Sequence, residues 1–124
     1  MSVARILICD DEPALRELMR IALVGDYEFE EAGTVAEAIE IADRFRPDVV
    51  LVDVMMPGGS GLDVVRYVAE HPELGKPASV VVSAFAAETD QEEARDAGAS
   101  AFVSKPFDPD DLSATVASLI GNGR

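Results

Sequence analysis

Short apolar runs that alternate with helix-like segments most restrict the fold of this 124-residue sequence. Most of the strand-like runs carry consecutive apolar residues, as expected for central strands that are covered on both faces. The segment YEFEE is the polar exception and is best placed at a sheet edge. The predicted strands are Arg5–Cys9, Tyr27–Glu31, Asp48–Val52, Ser79–Val82 and Ala101–Ser104.

Helix signals lie between and after these strands. Pro13 stands where a first-turn proline belongs, and Thr34 with Glu37 forms the sequence pattern of a capping box. Strands alternating with helices predict right-handed βαβ units, and hence an α/β fold with a parallel sheet wound on both faces. The predicted helices begin at Pro13, after Thr34, near Gly61, near Glu88 and after Asp108, and the last ends near Gly121.

Composition and charge exclude several functions. With 48% apolar residues the chain can bury a core, and its net charge of −14 repels nucleic-acid backbones, so direct nucleic-acid binding is not expected. No apolar run approaches the roughly 18 residues that span a bilayer, so no membrane insertion is expected. The single cysteine, Cys9, lies in an apolar run and indicates a core residue in a reducing cytoplasm.

Polar side chains follow four of the predicted strands. Asp10 and Asp11 follow the first, Asp53 the third, Ser83 the fourth and Lys105 the fifth. Because parallel strands present their carboxyl ends at one sheet edge, these groups are expected to converge. Carboxylates in such a cluster repel one another unless protons or a cation intervene, and an all-oxygen site suits Mg²⁺ or another hard divalent ion such as Mn²⁺. A metal and Lys105 could neutralise a phosphoryl group, with Asp53 as the nucleophile.

Each of these residues also has a simpler interpretation. Asp10 and Asp11 are compatible with acids that complement the macrodipole of the first helix. Asp53 is compatible with a strand that has reached water, Ser83 with an ordinary strand end and Lys105 with a loop residue. Their origin at different strand ends of one sheet edge favours a shared site.

The segments ILICDDEP, VVLVDVMMPGGSGLDVV, VVVSAFA and GASAFVSKPF resemble, in order and spacing, the receiver (CheY-like) domain of bacterial two-component response regulators. The resemblance covers the whole chain. It implies a flavodoxin-like (βα)₅ sheet of strand order 2-1-3-4-5 over residues 1–121, followed by a flexible tail at 122–124. It also implies a cytoplasmic signalling module that transfers phosphate to itself and loses it again, rather than an enzyme with an external substrate.

The same resemblance implies a role for each site residue. Asp53 would accept a phosphoryl group from a sensor histidine kinase or a histidine phosphotransfer protein. Lys105 would pair with that group, and Ser83 would donate a hydrogen bond to it. The metal, Mg²⁺ or Mn²⁺, would be bound by Asp53, by Asp11 directly, by Asp10 mainly through water and by the backbone carbonyl of Met55.

The resemblance further implies a switch. Ser83 and Phe102 would move together and change the face formed by the fourth helix, fifth strand and fifth helix, which a downstream effector domain or protein reads. The fifth helix has no Arg or Lys, and Ser100-Ala101 stands where many dimerising relatives carry an acidic pair. The unphosphorylated chain is therefore expected to be a monomer. The loop at residues 57–61, PGGSG, is richer in glycine than is usual in the family.

Kinase docking is expected at the exposed apolar part of the first helix and at the loop after Lys105, with Leu15, Leu18, Pro106 and Phe107 as candidates. Helical spacing alone also allows Leu15 and Leu18 to be ordinary core residues.

Other functions remain compatible with the sequence. A phosphorylation-independent adaptor would keep the fold without the switch. A phosphohydrolase with an aspartyl-phosphate intermediate is disfavoured because Met55 stands where a second acid is usual. A flavin-binding module is disfavoured because the first strand ends in acid rather than in a hydroxyl- and glycine-rich loop.

Overall fold

A five-stranded parallel sheet forms the centre of the computed structural model, which describes residues 3–122. In chain order its strands are β1 (Ala4–Cys9), β2 (Tyr27–Ala32), β3 (Val49–Val52), β4 (Ala78–Ser83) and β5 (Ala101–Ser104). Hydrogen bonding places them in the order β2-β1-β3-β4-β5. The predicted fold class and strand order are confirmed, and the polar strand β2 lies at an edge as expected.

The helices of the described chain are α1 (Pro13–Ala22), α2 (Val35–Phe45), α3 (Gly61–Glu70), α4 (Glu88–Ala97) and α5 (Pro109–Asn122). A single 3₁₀ turn follows α3, and a two-residue antiparallel ladder, Met55–Met56 with Gly59–Ser60, precedes it. Of the tail predicted at 122–124, Asn122 is the last residue of α5, and 123–124 lie outside the described residues. Within residues 3–122, no helix has the length and apolar character needed to cross a membrane.

Alternate residues of the central strands pack against opposite helical layers, because successive side chains of a strand point to opposite faces. Ile6 and Ile8 belong to a core that includes residues of α1 and α5. Leu7 and Cys9 belong to a second core, with residues of α2, α3 and α4. Cys9 is fully buried, as expected, and burial raises the pKa of its thiol. Continuous apolar runs were therefore a sound signal of strands covered on both sides.

Side chains cap two of the helices at the sheet edge where the strands end. Thr34 Oγ1 accepts a hydrogen bond from the Glu37 N–H at 3.1 Å, which is one half of the predicted capping box. The other half differs, because Glu37 Oε1 accepts from the N–H of Gly33 at 3.0 Å, one residue before the cap. At the start of α5, Asp108 Oδ1 accepts from the Asp110 N–H at 2.8 Å and so caps the helix as predicted.

Helix α3 begins directly against the strand end that carries Asp53. The N–H of Gly61 donates to the Val54 carbonyl at 2.9 Å, which holds the first turn of the helix close to β3. A Cβ atom at Gly61 would overlap the Asp53 carbonyl oxygen and would lie 2.8 Å from Val52 Cγ2. Because these neighbours are the last residue of β3 and the residue that follows it, both buried, only glycine fits without moving the end of that strand.

We expect Gly61→Ala to lower the free energy of unfolding by about 2–3 kcal/mol, the upper part of the usual range for forcing an extra methyl group into a packed core, because the overlap is with backbone. Gly33→Ala is the matched control, because the nearest neighbour of its Cβ would be a side-chain atom, Arg16 Nη1 at 3.3 Å, rather than overlapping backbone, and it should cost less than about 1 kcal/mol. Urea unfolding followed by circular dichroism measures both. Equal stability of the two variants would contradict the proposed close approach.

Candidate phosphoryl-acceptor site

The ammonium group of Lys105 joins two carboxylates from different strands. Its Nζ lies 2.6 Å from Asp53 Oδ2 and 3.0 Å from Asp10 Oδ2. The side chain of Lys105 is 14% exposed and that of Asp10 is fully buried. Asp10, Asp53 and Lys105 follow the last residues of β1, β3 and β5, so the sheet brings these three predicted site residues together.

Two opposing effects act on the charge of Lys105. Burial lowers the pKa of the ammonium group, whereas its hydrogen bonds to Asp53 and Asp10 and their negative charges raise it. The balance leaves the pKa of Lys105 above its ordinary value. The group is therefore a cation at neutral pH and offsets the repulsion between the two carboxylates.

The second oxygen of each carboxylate is held by the backbone. Asp10 Oδ1 accepts from the Glu12 N–H at 2.9 Å, and Asp53 Oδ1 accepts from the Met55 N–H at 3.0 Å. The side chain of Met55 is turned to solvent and is 60% exposed. Asp10 and Asp53 are thus oriented by contacts to both of their oxygens, and Met55 contributes to the site through its backbone.

An acidic cluster lies at the start of α1. One carboxylate oxygen from each of Asp10, Asp11 and Glu12 lies within 4.8 Å of the others, and Asp11 and Glu12 are exposed. A donor set made only of oxygen fits a hard cation such as Mg²⁺. Sequence reasoning did not select Glu12 as a ligand, although its position directly after the aspartate pair was an available signal.

Ser83 and Phe102 occupy different environments. Ser83 is fully buried, its Oγ accepts from the Phe85 N–H at 3.1 Å, and its carbonyl accepts from the Lys105 N–H at 2.9 Å. Ser83 is therefore linked through the backbone to the lysine of the site. Phe102 is half-buried and lines a separate cavity of about 210 Å³ beside α4, together with Gln91, Ala94 and Arg95.

The residues predicted for docking line one apolar hollow of about 450 Å³ next to the site. Leu18 is 53% exposed, and the Lys105–Pro106 peptide bond at the rim is cis. Lys105 itself belongs to the wall, so the hollow opens beside the Asp53 carboxylate. The lining residues are Leu15, Leu18, Ala84, Lys105, Pro106, Phe107 and Pro109.

Known proteins resemble this chain over most of its length. A family model described as the response regulator receiver domain matches residues 6–117. The DNA-binding response regulator MtrA of Mycolicibacterium smegmatis is 36% identical over 113 residues, which are 90% of this chain and 48% of MtrA. The chain therefore spans about half the length of that relative. The polar-differentiation response regulator DivK of Brucella anthropi is 30% identical over 118 residues, 94% of this chain and 96% of DivK.

Solved structures show the same architecture. A CheY-like response regulator receiver domain protein from Methanospirillum hungatei superimposes with a TM-score of 0.88 at 25% identity, covering 98% of this chain and 97% of the other. The chemotaxis response regulator CheY4 of Vibrio cholerae gives a TM-score of 0.86 at 27% identity, covering 95% and 99%. Because the family model spans most of the chain and the fold agrees, this protein belongs to the response regulator receiver domain family of two-component signalling systems.

Proposed function

We propose that Asp53 accepts a phosphoryl group from a phosphohistidine, carried by a sensor histidine kinase or by a histidine phosphotransfer protein. The observation that carries this proposal is the Lys105 ammonium held between the carboxylates of Asp53 and Asp10 at the end of buried strands. Such an arrangement supplies a nucleophilic oxygen beside a fixed positive charge, and a dianionic phosphoryl group requires both.

The transfer is a displacement at phosphorus. A carboxylate oxygen of Asp53 forms the new P–O bond while the P–N bond breaks, and the imidazole nitrogen leaves with the bonding electron pair. Asp10, Asp11, Asp53 and the Met55 carbonyl would hold Mg²⁺ or Mn²⁺, which neutralises phosphoryl oxygens when bound. Water later attacks phosphorus, releases inorganic phosphate and regenerates the Asp53 carboxylate.

The switch would start at Ser83. A phosphoryl group on Asp53 attracts the Lys105 ammonium and provides an acceptor for the Ser83 hydroxyl, whose oxygen now receives the Phe85 N–H. Movement of Ser83 and of the loop before α4 would let Phe102 repack and change the face formed by α4, β5 and α5. A downstream effector domain or protein would read that face.

The acceptor can be tested with a small phosphodonor such as phosphoramidate and intact-protein mass spectrometry. We expect one phosphoryl group on the wild-type chain in Mg²⁺, none in EDTA and none on Asp53→Asn, because an amide is a poor nucleophile. Asp96→Asn, an exposed change on α4, is the control and should label like the wild type. Full labelling of Asp53→Asn would contradict the assignment, and a folded wild type that never labels would favour an adaptor.

Removal of the Lys105 ammonium group, which contacts both carboxylates, should destabilise the unphosphorylated protein. We expect Lys105→Met to lower the free energy of unfolding in EDTA by about 2–3 kcal/mol, because two carboxylates then lose their shared counter-charge. Adding Asp53→Asn to Lys105→Met should restore at least half of that loss. Urea unfolding in mildly alkaline buffer measures both effects, with the exposed Lys76→Met as the control. No recovery in the double variant would show that charge repulsion is not the cause.

The hollow beside Lys105 is the expected docking place for the phosphohistidine protein. We expect Leu18→Asp to slow phosphotransfer from a phosphohistidine-carrying donor protein by at least about tenfold, because a buried anchor of an interface is lost. Labelling by phosphoramidate should not change, since Leu18 lies outside the acceptor cluster. Ile21→Asp is the matched control: Ile21 is 70% exposed on the same helix and lies outside the hollow. Equal slowing by both variants would contradict docking in the hollow.

A further inference from the structure

The carbonyl group of Asp10, just past the end of β1, accepts its hydrogen bond from a side chain rather than from a neighbouring strand. The Asp10 N–H still donates to the Ala32 carbonyl at 3.0 Å, which is the last rung toward β2. Beyond Ala32 the β2 chain turns away, because Thr34 caps α2 and the Gly33 N–H donates to Glu37. At this point the guanidinium of Arg16 supplies the hydrogen bond: its Nη1 donates to the Asp10 carbonyl oxygen at 2.5 Å.

Arg16 is itself held in place by a carboxylate. Its Nε lies 2.9 Å from Glu31 Oε1, and its side chain is only 18% exposed. The other oxygen of Glu31 is contacted at 3.1 Å by Arg20, whose side chain is 54% exposed. The planar guanidinium therefore spans from β2 to the end of β1 with two bonds in fixed directions, a geometry that a lysine ammonium does not reproduce.

We propose that Arg16 is a positioning residue for the divalent-cation site, an inference that rests on the proposed function. Its bond to the Asp10 carbonyl orients the peptide between Asp10 and Asp11 and thereby the direction in which Asp11 leaves the strand. The Asp10 carboxylate is oriented separately, by Glu12 and Lys105. Arg16 thus fixes the position of the Asp11 carboxylate relative to the Asp10 carboxylate. Its own bond is to the Asp10 backbone carbonyl, so it occupies no carboxylate oxygen of either residue.

An electrostatic role and a positioning role for Arg16 predict opposite effects of its removal on the affinity for a divalent cation. If Arg16 acted only through its positive charge, its loss would tighten the binding of a cation nearby. If Arg16 positions the ligands, its loss weakens binding, and groups that orient metal ligands typically contribute about 10- to 100-fold in affinity. Glu31 offsets the charge of Arg16, which reduces the electrostatic effect and leaves the geometric one.

Titration of Mn²⁺ into the unphosphorylated protein, followed by the electron paramagnetic resonance signal of free Mn²⁺, measures this directly. We expect Arg16→Met to weaken Mn²⁺ binding about tenfold and Arg16→Lys to give an intermediate loss. Arg20→Met is the matched control: it removes a charge one turn away that contacts the same Glu31 but not Asp10, and it should change the affinity less than about twofold. Circular dichroism in EDTA establishes that each variant is folded.

Glu31→Gln provides a second variant should Arg16→Met fail to fold. It loosens Arg16 without removing it and should weaken Mn²⁺ binding by about threefold, because one of two bonds to the guanidinium loses its charge assistance. Glu30→Gln removes the same charge from the same strand but contacts Arg44 rather than Arg16, and it should change the affinity less than about twofold. Binding by folded Arg16→Met that is as tight as, or tighter than, that of the wild type would overturn the inference; if Arg16→Met does not fold, unchanged binding by Glu31→Gln would do so. A wild type that binds no Mn²⁺ would instead overturn the proposed metal site itself.

Discussion

The Lys105 ammonium between the carboxylates of Asp10 and Asp53 is the interaction on which the rest of the site depends. Neighbouring strands β1 and β3 deliver two carboxylates to one sheet edge, where they repel each other. Strand β5 ends one residue before Lys105 and supplies the compensating charge from across β4. The parallel sheet therefore brings two like charges and a compensating opposite charge to the same place.

Two basic residues perform different tasks at this edge. Lys105 contacts carboxylate oxygens, so under the proposed function an incoming phosphoryl group would compete for it. Arg16 contacts a backbone carbonyl and Glu31, so its bonds would not need to change if the carboxylates gained the proposed cation or phosphoryl group. A flexible point charge suits the first task, and a planar group with several donors in fixed directions suits the second.

Much of the fold and of the site could be predicted because the signals were local. The apolar run at Val49–Val52 indicated a covered strand, and its position before Asp53 indicated a strand-end site. Arg16 was not predicted as a site residue because its proposed role depends on a tertiary contact, the hydrogen bond from its guanidinium to the Asp10 carbonyl. Gly61 was seen as a helix start, but its need for a missing Cβ arises only where α3 meets β3. The role of Arg16 and the need for glycine at position 61 both arise from contacts between secondary-structure elements, and residue spacing along the chain does not reveal such contacts.

We propose Asp53 as the acceptor among three neighbouring aspartates, and chemical trapping tests that proposal most directly. Borohydride reduces an acyl phosphate to an alcohol, so a phosphorylated aspartate becomes homoserine and can be located by peptide mass spectrometry. We predict homoserine at position 53 after treatment with phosphoramidate and Mg²⁺, with Asp10 and Asp11 unchanged. Homoserine at position 10 or 11, with aspartate retained at 53, would contradict the account.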